Sequence, residues 1–159
     1  MQARTATRDD AAAIAAIYNE GIEDRIGTFE TRLRTANDVL DWFTGSYPIV
    51  VVESADAAVI AFASTSVYRP RECYRGVAEF SVYVARAARG RGAGEMAMRA
   101  LFDAARRAGF WKLVSRVFLE NAASRSLLRK LGFREVGTYR RHGQLEGVWK
   151  DVVIVEYLL

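Results

Sequence analysis

Cysteine and histidine are almost absent from this sequence. Its 159 residues include one cysteine, Cys73, and one histidine, His142. A disulfide within the chain is therefore excluded, and a conventional zinc site, which takes several Cys or His ligands, is not expected. We expect no metal cofactor.

Long apolar runs are missing as well. No run reaches the ~18 residues that a membrane-spanning helix requires, and the opening MQARTATRDD contains no apolar signal core. The sequence also lacks low-complexity tracts, linkers and repeats. We therefore expect one compact domain over residues 1–159, located in the cytoplasm and without a membrane partner.

What is present is the composition of a globular protein. Hydrophobic residues make up 51% of the chain and charged residues 26%, enough to bury a substantial core. Lys and Arg number 23 against 19 Asp and Glu, which gives a net charge of +4. This excess suits an anionic small ligand at least as well as nucleic acid. Because no basic, aromatic-rich surface pattern is present, we expect no nucleic-acid partner.

The apolar periodicity predicts alternating strands and helices. A first strand, QARTAT, precedes a helix that Asp9 caps and Gly21 ends or bends, and the capping box TAND opens a second helix. The next elements are strands over 49–53, 59–67 and AEFSVYV, a helix over 92–108, the strand KLVSRVF and the helix AASRSLLRKLG. Two strands end the chain, and a glycine-rich loop precedes the last, VWKDVVIVEYLL. This order predicts an α/β (α+β) fold, a mixed sheet covered by helices.

The turn between AEFSVYV and the following helix has the chemistry of an anion site. Residues 89–94 are RGRGAG. Glycines let the backbone approach a ligand closely, and the first turn of a helix offers unpaired N–H groups at the positive end of its dipole. Arg89 and Arg91 add two guanidinium groups that suit phosphate. The glycine spacing matches neither the dinucleotide motif nor the nucleoside-triphosphate loop. A flexible basic turn is the alternative interpretation of this segment alone.

A second segment, NAASRSLLRKLGF, follows one strand later. Together the two segments resemble the GCN5-related N-acetyltransferase (GNAT) superfamily, whose pyrophosphate loop R-x-x-G-x-G/A precedes N-x-x-S and L-G-F. Arg89, Gly92 and Gly94 match the loop, and Asn121 and Ser124 match the second part. The pieces IYNEGI, TFET, YRPRECY, EFSVYV and GVWKD resemble the phosphinothricin and L-amino-acid N-acetyltransferase branch.

The resemblance implies a GNAT fold, with a mixed, mostly antiparallel sheet of six to seven strands and about four helices. It also implies acetyl-CoA as co-substrate. The pantetheine would lie along 82–84, the pyrophosphate on 90–95 and the distal arm near Asn121, where basic residues of both segments could meet the phosphates. The implied cofactor-binding residues are Val82, Tyr83, Val84, Arg89, Gly90, Arg91, Gly92, Ala93, Gly94, Glu95, Asn121 and Ser124.

The implied chemistry is attack of a neutral amine on a thioester carbonyl. A base must first remove a proton from the ammonium group, and Glu79 matches the family's proposed base. The alternative for Glu79 is a strand carboxylate that faces solvent or pairs with an arginine. Backbone N–H groups near Val82 and Tyr83 would stabilise the oxyanion.

No general acid can be named from the resemblance. Leu128 stands where the superfamily often carries a tyrosine, so coenzyme A would leave as the thiolate or take a proton from water. A covalent route through Cys73 is not expected, because the only imidazole that could activate it, His142, is far away in sequence.

Substrate recognition is expected from TFET and YRPRECY. In the phosphinothricin branch, an aromatic residue and a basic pair with a nearby tyrosine hold the acidic groups of the amino acid. The planar fork of arginine suits carboxylate, phosphinate or arsonate-like oxygens. The arginines could instead be solvated loop charges, and Phe29 could belong to the core. The implied substrate-binding residues are Phe29, Glu30, Arg69, Arg71, Tyr74 and Tyr83.

We therefore expect an acetyl-CoA-dependent N-acetyltransferase that acts on the α-amine of a small acidic amino acid or analogue by direct attack in a ternary complex. Phosphinothricin, arsinothricin and methionine sulfone are examples of such acceptors, and the motifs do not distinguish a resistance role from a metabolic one. A protein or peptide N-acetyltransferase and a non-catalytic acyl-CoA-binding module remain alternatives. Family relatives are often dimeric, and RRHGQLEGVWKD could supply an interface loop, so a homodimer is expected.

Overall fold

Seven strands form one sheet in the computed structural model, which describes all of residues 1–159. The elements are β1 (Gln2–Thr5), α1 (Ala11–Asp24), α2 (Ala36–Leu40), β2 (Ile49–Glu53), β3 (Val59–Val67), β4 (Val77–Val84), α3 (Ala93–Arg107), β5 (Lys112–Phe118), α4 (Ala122–Lys130), β6 (Arg134–Leu145) and β7 (Val148–Leu158). The strand order is β1-β2-β3-β4-β5-β7-β6, and only β4 and β5 pair in parallel. The expected mixed, mostly antiparallel sheet with four helices is confirmed.

Helices pack on both faces of the sheet. Successive strand residues point to opposite faces, and in β2 they join different clusters, because Val50 packs with α3 and α4 whereas Val51 packs with α1 and α2. Burial on both faces explains why β2, IVVVE, is a continuous β-branched run. In β3, Phe62 is fully buried on the α1 side.

The α1 side of the sheet has no comparable helix over β5 and β7. A small cluster lies there instead, in which Phe118, Leu145 and Val152 are buried and Phe29, from the segment after α1, packs against them. Neighbouring residues of this face are therefore left accessible for a ligand.

β4 and β5 separate after a short parallel contact. Only residues Val77–Glu79 pair with Lys112–Val114. Beyond that point β4 continues along β3 to Val84, and β5 continues along β7. The two strands therefore enclose a wedge, and the β5-facing edge of β4 has no strand partner there.

The start of α1 differs from the expectation. Residues Arg8–Asp10 form a short 3-10 turn, in which the Asp10 carboxylate accepts a bond from the Thr7 N–H at 2.7 Å. Arg4 holds the same carboxylate at 2.8 Å. Asp9 is exposed and is not the cap, because the turn is capped at Thr7 and Asp9 lies inside it.

Gly21 does not end the first helix, which continues to Asp24 and stops at Arg25 with φ of 59°. Gly21 is buried, and a Cβ there would lie 2.7 Å from Cδ1 of Tyr83. The residue is small because the Tyr83 ring packs against the helix backbone. The capping box of the second helix is confirmed, with the Thr35 hydroxyl accepting from the Asp38 N–H at 3.2 Å.

The C-terminal half of the chain differs in one respect. The expected glycine-rich loop before the last strand is the distal part of β6, which pairs with β7 through two register shifts and turns at Glu146 and Gly147. β6 is an edge strand, and Tyr139 and Trp149 are about half exposed. No helix combines the length and the apolar character that crossing a membrane demands.

The contact between Gly21 and Tyr83 predicts a stability defect in Gly21→Ala. Alanine is the better helix former by about 0.8–1 kcal/mol, but the Tyr83 ring, stacked on Phe62 with centroids 5.5 Å apart, cannot yield easily. Overpacking of this kind costs about 1–3 kcal/mol. We expect urea denaturation to show a net loss of about 1 kcal/mol, and at most about 2 kcal/mol, in unfolding free energy.

Gly45→Ala is the matched control. Its Cβ would come no closer than 3.6 Å to Tyr47, so its unfolding free energy should stay within about 0.5 kcal/mol of wild type. Equal midpoints for the two variants would show that the Tyr83 ring moves freely.

Candidate active site

The glycine turn before α3 is open to solvent on the side where a ligand would lie. Gly90 and Gly92 have φ of 76° and 87°, in the left-handed region that favours glycine. A Cβ at either position would meet nothing within 4 Å. The first turn of α3 begins directly after Gly92, so its unpaired N–H groups face the same opening.

Gly94 has a different role from its neighbours. A Cβ there would lie 3.2 Å from Leu127 Cδ2 and 3.3 Å from Val84 Cγ2. Glycine at this position therefore lets α3 pack closely against α4 and β4.

Arg89 anchors the turn to the end of α1. Its Nη1 lies 2.7 Å from Asp24 Oδ2, and its Nε donates to the Val84 carbonyl at 3.2 Å. Arg86 binds the other oxygen of Asp24 at 2.8 Å. The hydrogen bonds from Arg86 and Arg89 lower the pKa of the Asp24 carboxyl. Arg89 therefore carries its own counter-charge, which the sequence did not reveal.

The wedge between β4 and β5 opens into a cleft of about 440 Å³. β4, the glycine turn, α3 and α4 form its walls. Of the residues predicted to bind the cofactor, only Arg91 is not part of the lining, and it is exposed. Those that line the cleft are Val82, Tyr83, Val84, Arg89, Gly90, Gly92, Ala93, Gly94, Glu95, Asn121 and Ser124.

Two polar residues of this cleft have partners within the protein. The Asn121 side-chain oxygen accepts from the Ser124 N–H at 3.2 Å and so caps α4. Lys130 lies 2.5 Å from Glu95 and, together with Arg99, lowers the pKa of that carboxyl. The basic residues of α4 are thus less free for phosphate than expected.

Tyr83 lies at the inner wall of this cleft. Its ring stacks on Phe62 and meets Tyr18 edge-on at 5.1 Å. Burial raises the pKa of the Tyr83 hydroxyl well above the ordinary value of a tyrosine. Leu128, at the position of the family's tyrosine, is 1% exposed and belongs to the core that supports the cleft.

A second cleft, of about 310 Å³, lies on the other side of the wedge. The two clefts share Ser115 and Arg116 of β5. The Ser115 hydroxyl donates to the Phe80 carbonyl at 3.0 Å, at the point where β4 and β5 part. Glu79 lies in the second cleft, and its Oε1 accepts from Arg116 Nη2 at 2.6 Å. The lining consists of Tyr68, Arg69, Glu79, Val114, Ser115, Arg116, Tyr139 and Ile154.

Only some of the predicted substrate residues reach this second cleft. Arg69 lines it, with its guanidinium 5.3 Å from the centre of the Tyr68 ring. Arg71 is exposed, lies 5.8 Å from the Tyr74 ring centre and is not part of the lining, and neither is Tyr74. Tyr74 in turn meets Tyr68 edge-on at 5.5 Å.

Phe29 and Glu30 lie away from both linings. Phe29 packs edge-on against Phe118 at 4.8 Å, which is the core role that the sequence left open. Glu30 is exposed and pairs with Arg34 at 2.9 Å. His142 stacks on Tyr139 with ring centres 4.7 Å apart.

Comparison with known proteins decides the family. A model of the acetyltransferase (GNAT) family matches residues 14–133. The chain belongs to this family. It is 36% identical over 152 residues to the L-methionine sulfoximine/L-methionine sulfone acetyltransferase of Pseudomonas paraeruginosa, over 92% of this chain and 88% of that protein.

Solved structures of GNAT enzymes superpose on the whole chain. The phosphinothricin acetyltransferase of Sinorhizobium meliloti, in complex with acetyl-CoA, gives a TM-score of 0.92 at 30% identity, over 99% of this chain and 88% of that one. The ribosomal-protein-alanine N-acetyltransferase of Brucella melitensis gives 0.94 at 33% identity, over all of both chains. The predictions of an acetyltransferase and of the GNAT fold are confirmed.

Six of the eight residues that line the second cleft of this GNAT protein were not among the predicted site residues. Ser115, Arg116 and Tyr139 belong to strands whose apolar pattern alone attracted notice. The sequence did contain a signal for Arg116. It lies two residues after Val114 in KLVSRVF, so the two side chains must share one face of the sheet. Tyr139 had no such signal, since its position depends on the register of β6 with β7.

The pair of arginines on Asp24 predicts a pH-dependent stability difference in Asp24→Asn. Because Arg86 and Arg89 lower the pKa of the folded carboxyl, its contribution is fully present above about pH 4 and is lost as the pH falls through the lowered pKa. Both arginines are partly exposed, so solvent screening limits the loss to roughly 1 kcal/mol at pH 7. In urea denaturation, the difference from wild type should shrink as the pH falls from 7 to 3.

Asp103→Asn provides the control. Asp103 is exposed on α3 and meets only Arg106, at 3.4 Å, so its removal should change the unfolding free energy by less than about 0.5 kcal/mol at either pH. A loss in Asp24→Asn that does not depend on pH would contradict the ion-pair explanation.

Proposed function

We propose that this GNAT enzyme transfers an acetyl group from acetyl-CoA to the α-amine of a small acidic amino acid or an analogue of one. The observation that carries the proposal is the meeting of two clefts at Ser115 and Arg116, with Glu79 beside the junction. One cleft suits the donor and the other the acceptor. The named relatives, which acetylate methionine sulfoximine, methionine sulfone or phosphinothricin, support this choice of acceptor.

The first cleft fits coenzyme A. The open space over Gly90 and Gly92 would accept a diphosphate against backbone N–H groups at the start of α3. The unpaired edge of β4 would bind the amide groups of the pantetheine arm in the manner of a strand partner. Acetyl-CoA supplies the thioester carbonyl that is attacked. No group of three or more His, Cys, Asp or Glu side chains is suitably placed for a metal ion.

Glu79 is the proposed base. It would take a proton from the acceptor ammonium group, after which the amine nitrogen forms a bond to the acetyl carbon and the carbon–sulfur bond breaks. The sulfur leaves with its electron pair as a thiolate. The nitrogen, which still carries two protons when it bonds to the acetyl carbon, loses one of them to solvent, and the first proton remains on Glu79 until solvent removes it. Because the sulfur leaves as a thiolate, this route needs no proton donor, which agrees with Leu128 at the position of the family's tyrosine.

The acceptor cleft favours a compact anionic substrate. Its volume of about 310 Å³ lies near the lower end of small-molecule sites. Arg69 can bind an acidic side-chain group there, and Arg71 and Tyr74 would act at the rim. Protein N-acetylation, suggested by the ribosomal-protein-alanine relative, is the second candidate, and it would leave Arg69 without an obvious use.

We also propose that the protein forms a homodimer, with the interface at the end of β6 and the start of β7. Val148 and Trp149 are exposed apolar residues there, and the mass in solution tests the proposal.

A panel of acceptors tests the substrate class. With wild type, thiol release from acetyl-CoA should be fast with phosphinothricin, methionine sulfone or glutamate, slow with alanine or lysine, and slow with an N-terminal alanine peptide.

Glu79→Gln tests the base. Loss of a general base lowers turnover by about 10²–10⁴-fold, so Glu79→Gln should lose at least ~100-fold in kcat with little change in acetyl-CoA affinity. The defect should lessen at high pH, where more acceptor amine is already neutral.

Glu72→Gln controls for the loss of a nearby carboxylate. Glu72 lies on the exposed turn before β4 with its side chain 88% exposed, and kcat should stay within about twofold. Equal turnover by Glu79→Gln and wild type at pH 7 would remove Glu79 from the mechanism. Faster reaction with the peptide would favour protein acetylation, and no thiol release from any acceptor would favour a non-catalytic module.

Gly92→Ala tests the donor cleft. The new Cβ would stand in open space where the diphosphate must approach, and φ of 87° strains any residue other than glycine. We expect calorimetry to show an acetyl-CoA Kd raised at least ~10-fold, together with a stability loss of about 1–2 kcal/mol from the left-handed backbone.

Gly109→Ala is the control, because it introduces the same backbone strain away from the donor cleft. Gly109 lies just beyond the far end of α3 with φ of 91° and no atom within 4 Å of its Cβ position. It should lose similar stability and keep wild-type affinity. If both variants bind acetyl-CoA equally, the glycine turn is not the diphosphate site.

A further inference from the structure

Arg116 lines both clefts and contacts Glu79. It lies on β5, two residues beyond Val114, which is the last β5 residue that pairs with β4. Its side chain is 53% exposed and lines both clefts. Neither the predicted substrate set nor the motif resemblance included it.

The contact between Arg116 and Glu79 uses little of the guanidinium. One nitrogen, Nη2, donates to Glu79 at 2.6 Å, and no other hydrogen bond or ion pair involves either side chain. A guanidinium has five N–H donors. The remaining donors of Arg116 are therefore available to a second anion in the acceptor cleft.

The Arg116–Glu79 pair works against the proposed base. The hydrogen bond from Arg116 Nη2 occupies Oε1 of Glu79 and so competes with the ammonium group of an acceptor for that oxygen. If Glu79 is to deprotonate the acceptor, Arg116 needs another anion at that moment. The α-carboxylate of an amino acid is such an anion, and it is separated from the reacting nitrogen by a single carbon atom.

We propose that Arg116 binds the α-carboxylate of the acceptor and that this exchange of partners frees Glu79 to act as the base. The proposal rests on the function proposed above and names a specificity-determining residue of that site. Before binding, Arg116 pairs with Glu79 and the amino acid is a zwitterion. Afterwards Arg116 pairs with the α-carboxylate and Glu79 with the ammonium group, so no charge is left unpaired.

The exchange leads directly into the transfer step. The Nη2–H bond to Glu79 is replaced by one to a carboxylate oxygen, and the ammonium group donates to the freed Glu79 oxygen. One proton then passes to Glu79, and the neutral nitrogen bonds to the acetyl carbon. The carbon–sulfur bond breaks to release the thiolate, and the nitrogen loses its extra proton to solvent. Arg69, in the same cleft, stays available for the side-chain anion.

A structural ion pair elsewhere in the sheet shows the contrast. Arg134 on β6 approaches one oxygen of Glu156 with two nitrogens, at 2.7 and 2.6 Å, and Lys112 lies 2.6 Å from the other oxygen. That carboxylate is held from two sides and lines neither cleft. Glu79 is held by a single nitrogen, which suits a contact that must break in each turnover.

The test compares two acceptors with three proteins. The acceptors are the amino acid that the thiol-release panel shows to be fastest and the α-carboxamide of that same amino acid, which has the amine but no carboxylate. The proteins are wild type, Arg116→Gln and Arg134→Gln, all checked for equal melting temperature and acetyl-CoA affinity. kcat and KM are measured separately for each combination.

Wild type should prefer the acid by at least ~10-fold in kcat/KM, with part of the difference in kcat, because the amide leaves Glu79 paired. Arg116→Gln should lose about 10- to 100-fold on the acid, yet keep or improve its rate on the amide, since Glu79 is then unpaired. Arg134→Gln should change neither. Arg116→Lys, which keeps a charge but not the fork, should retain part of the preference for the acid.

Two results would overturn the inference while the proposed function stands. One is a wild-type enzyme that acetylates acid and amide equally well, a result that needs no variant. The other is an equal loss on both acceptors in Arg116→Gln or Arg116→Lys, which would make Arg116 only a support for Glu79. If wild type acetylates no amino acid at all, the proposed function fails and this inference fails with it.

Discussion

The pairing of β4 with β5 ends after three residues on each strand, and the rest of the site depends on that interruption. Parallel strands that continued side by side would satisfy each other's backbone groups and close the sheet. Because β4 keeps to β3 while β5 keeps to β7, the strands diverge, and the β5-facing backbone of β4 is left for a ligand. Ser115 satisfies the Phe80 carbonyl at the point of divergence. A gap in the sheet is therefore tolerated where a ligand can fill it.

The positive charge around the donor cleft is largely balanced from within. Arg89 is committed to Asp24 and Lys130 to Glu95, and each of these carboxyls has its pKa lowered by its partners. In the proposed function, phosphate recognition would then fall mainly to backbone N–H groups of the glycine turn, which are directional and need no counter-ion. Arg89 would instead hold the turn in shape through Asp24 and the Val84 carbonyl, an arrangement that agrees with the modest net charge of +4.

The sequence predicted the elements, and all the expected cofactor-binding residues except Arg91 line one cleft, because both rest on local signals. Glycine at 90 and 92, the Asn121 cap and the strand before them report backbone geometry that is set within a few residues. The acceptor side depends on register between distant strands. Tyr139 comes opposite Val152 only through a shifted β6–β7 pairing, and Arg116 meets Glu79 across two strands. No local pattern in the sequence encodes such pairings.

The two errors in the first helix have the same cause. Asp9 and Gly21 were judged by what they do in an isolated helix, as a cap and as a breaker. In the folded protein, Arg4 on β1 selects Asp10 instead, and the Tyr83 ring on β4 requires a residue without a side chain at position 21. In both cases the role of the helix residue is determined by a residue on a strand, outside the helix itself.

The two clefts also differ in how much change the chain can absorb. The donor cleft is walled by the packed backs of α3 and α4, where even Gly94 has atoms within 3.3 Å of its missing Cβ. The acceptor cleft is bordered on one side by an exposed loop and an edge strand, where Arg69 and Tyr139 have room on their outer sides. Substitutions there disturb little else. Proteins that share this fold can thus change their acceptor substrate while they keep the same acetyl donor.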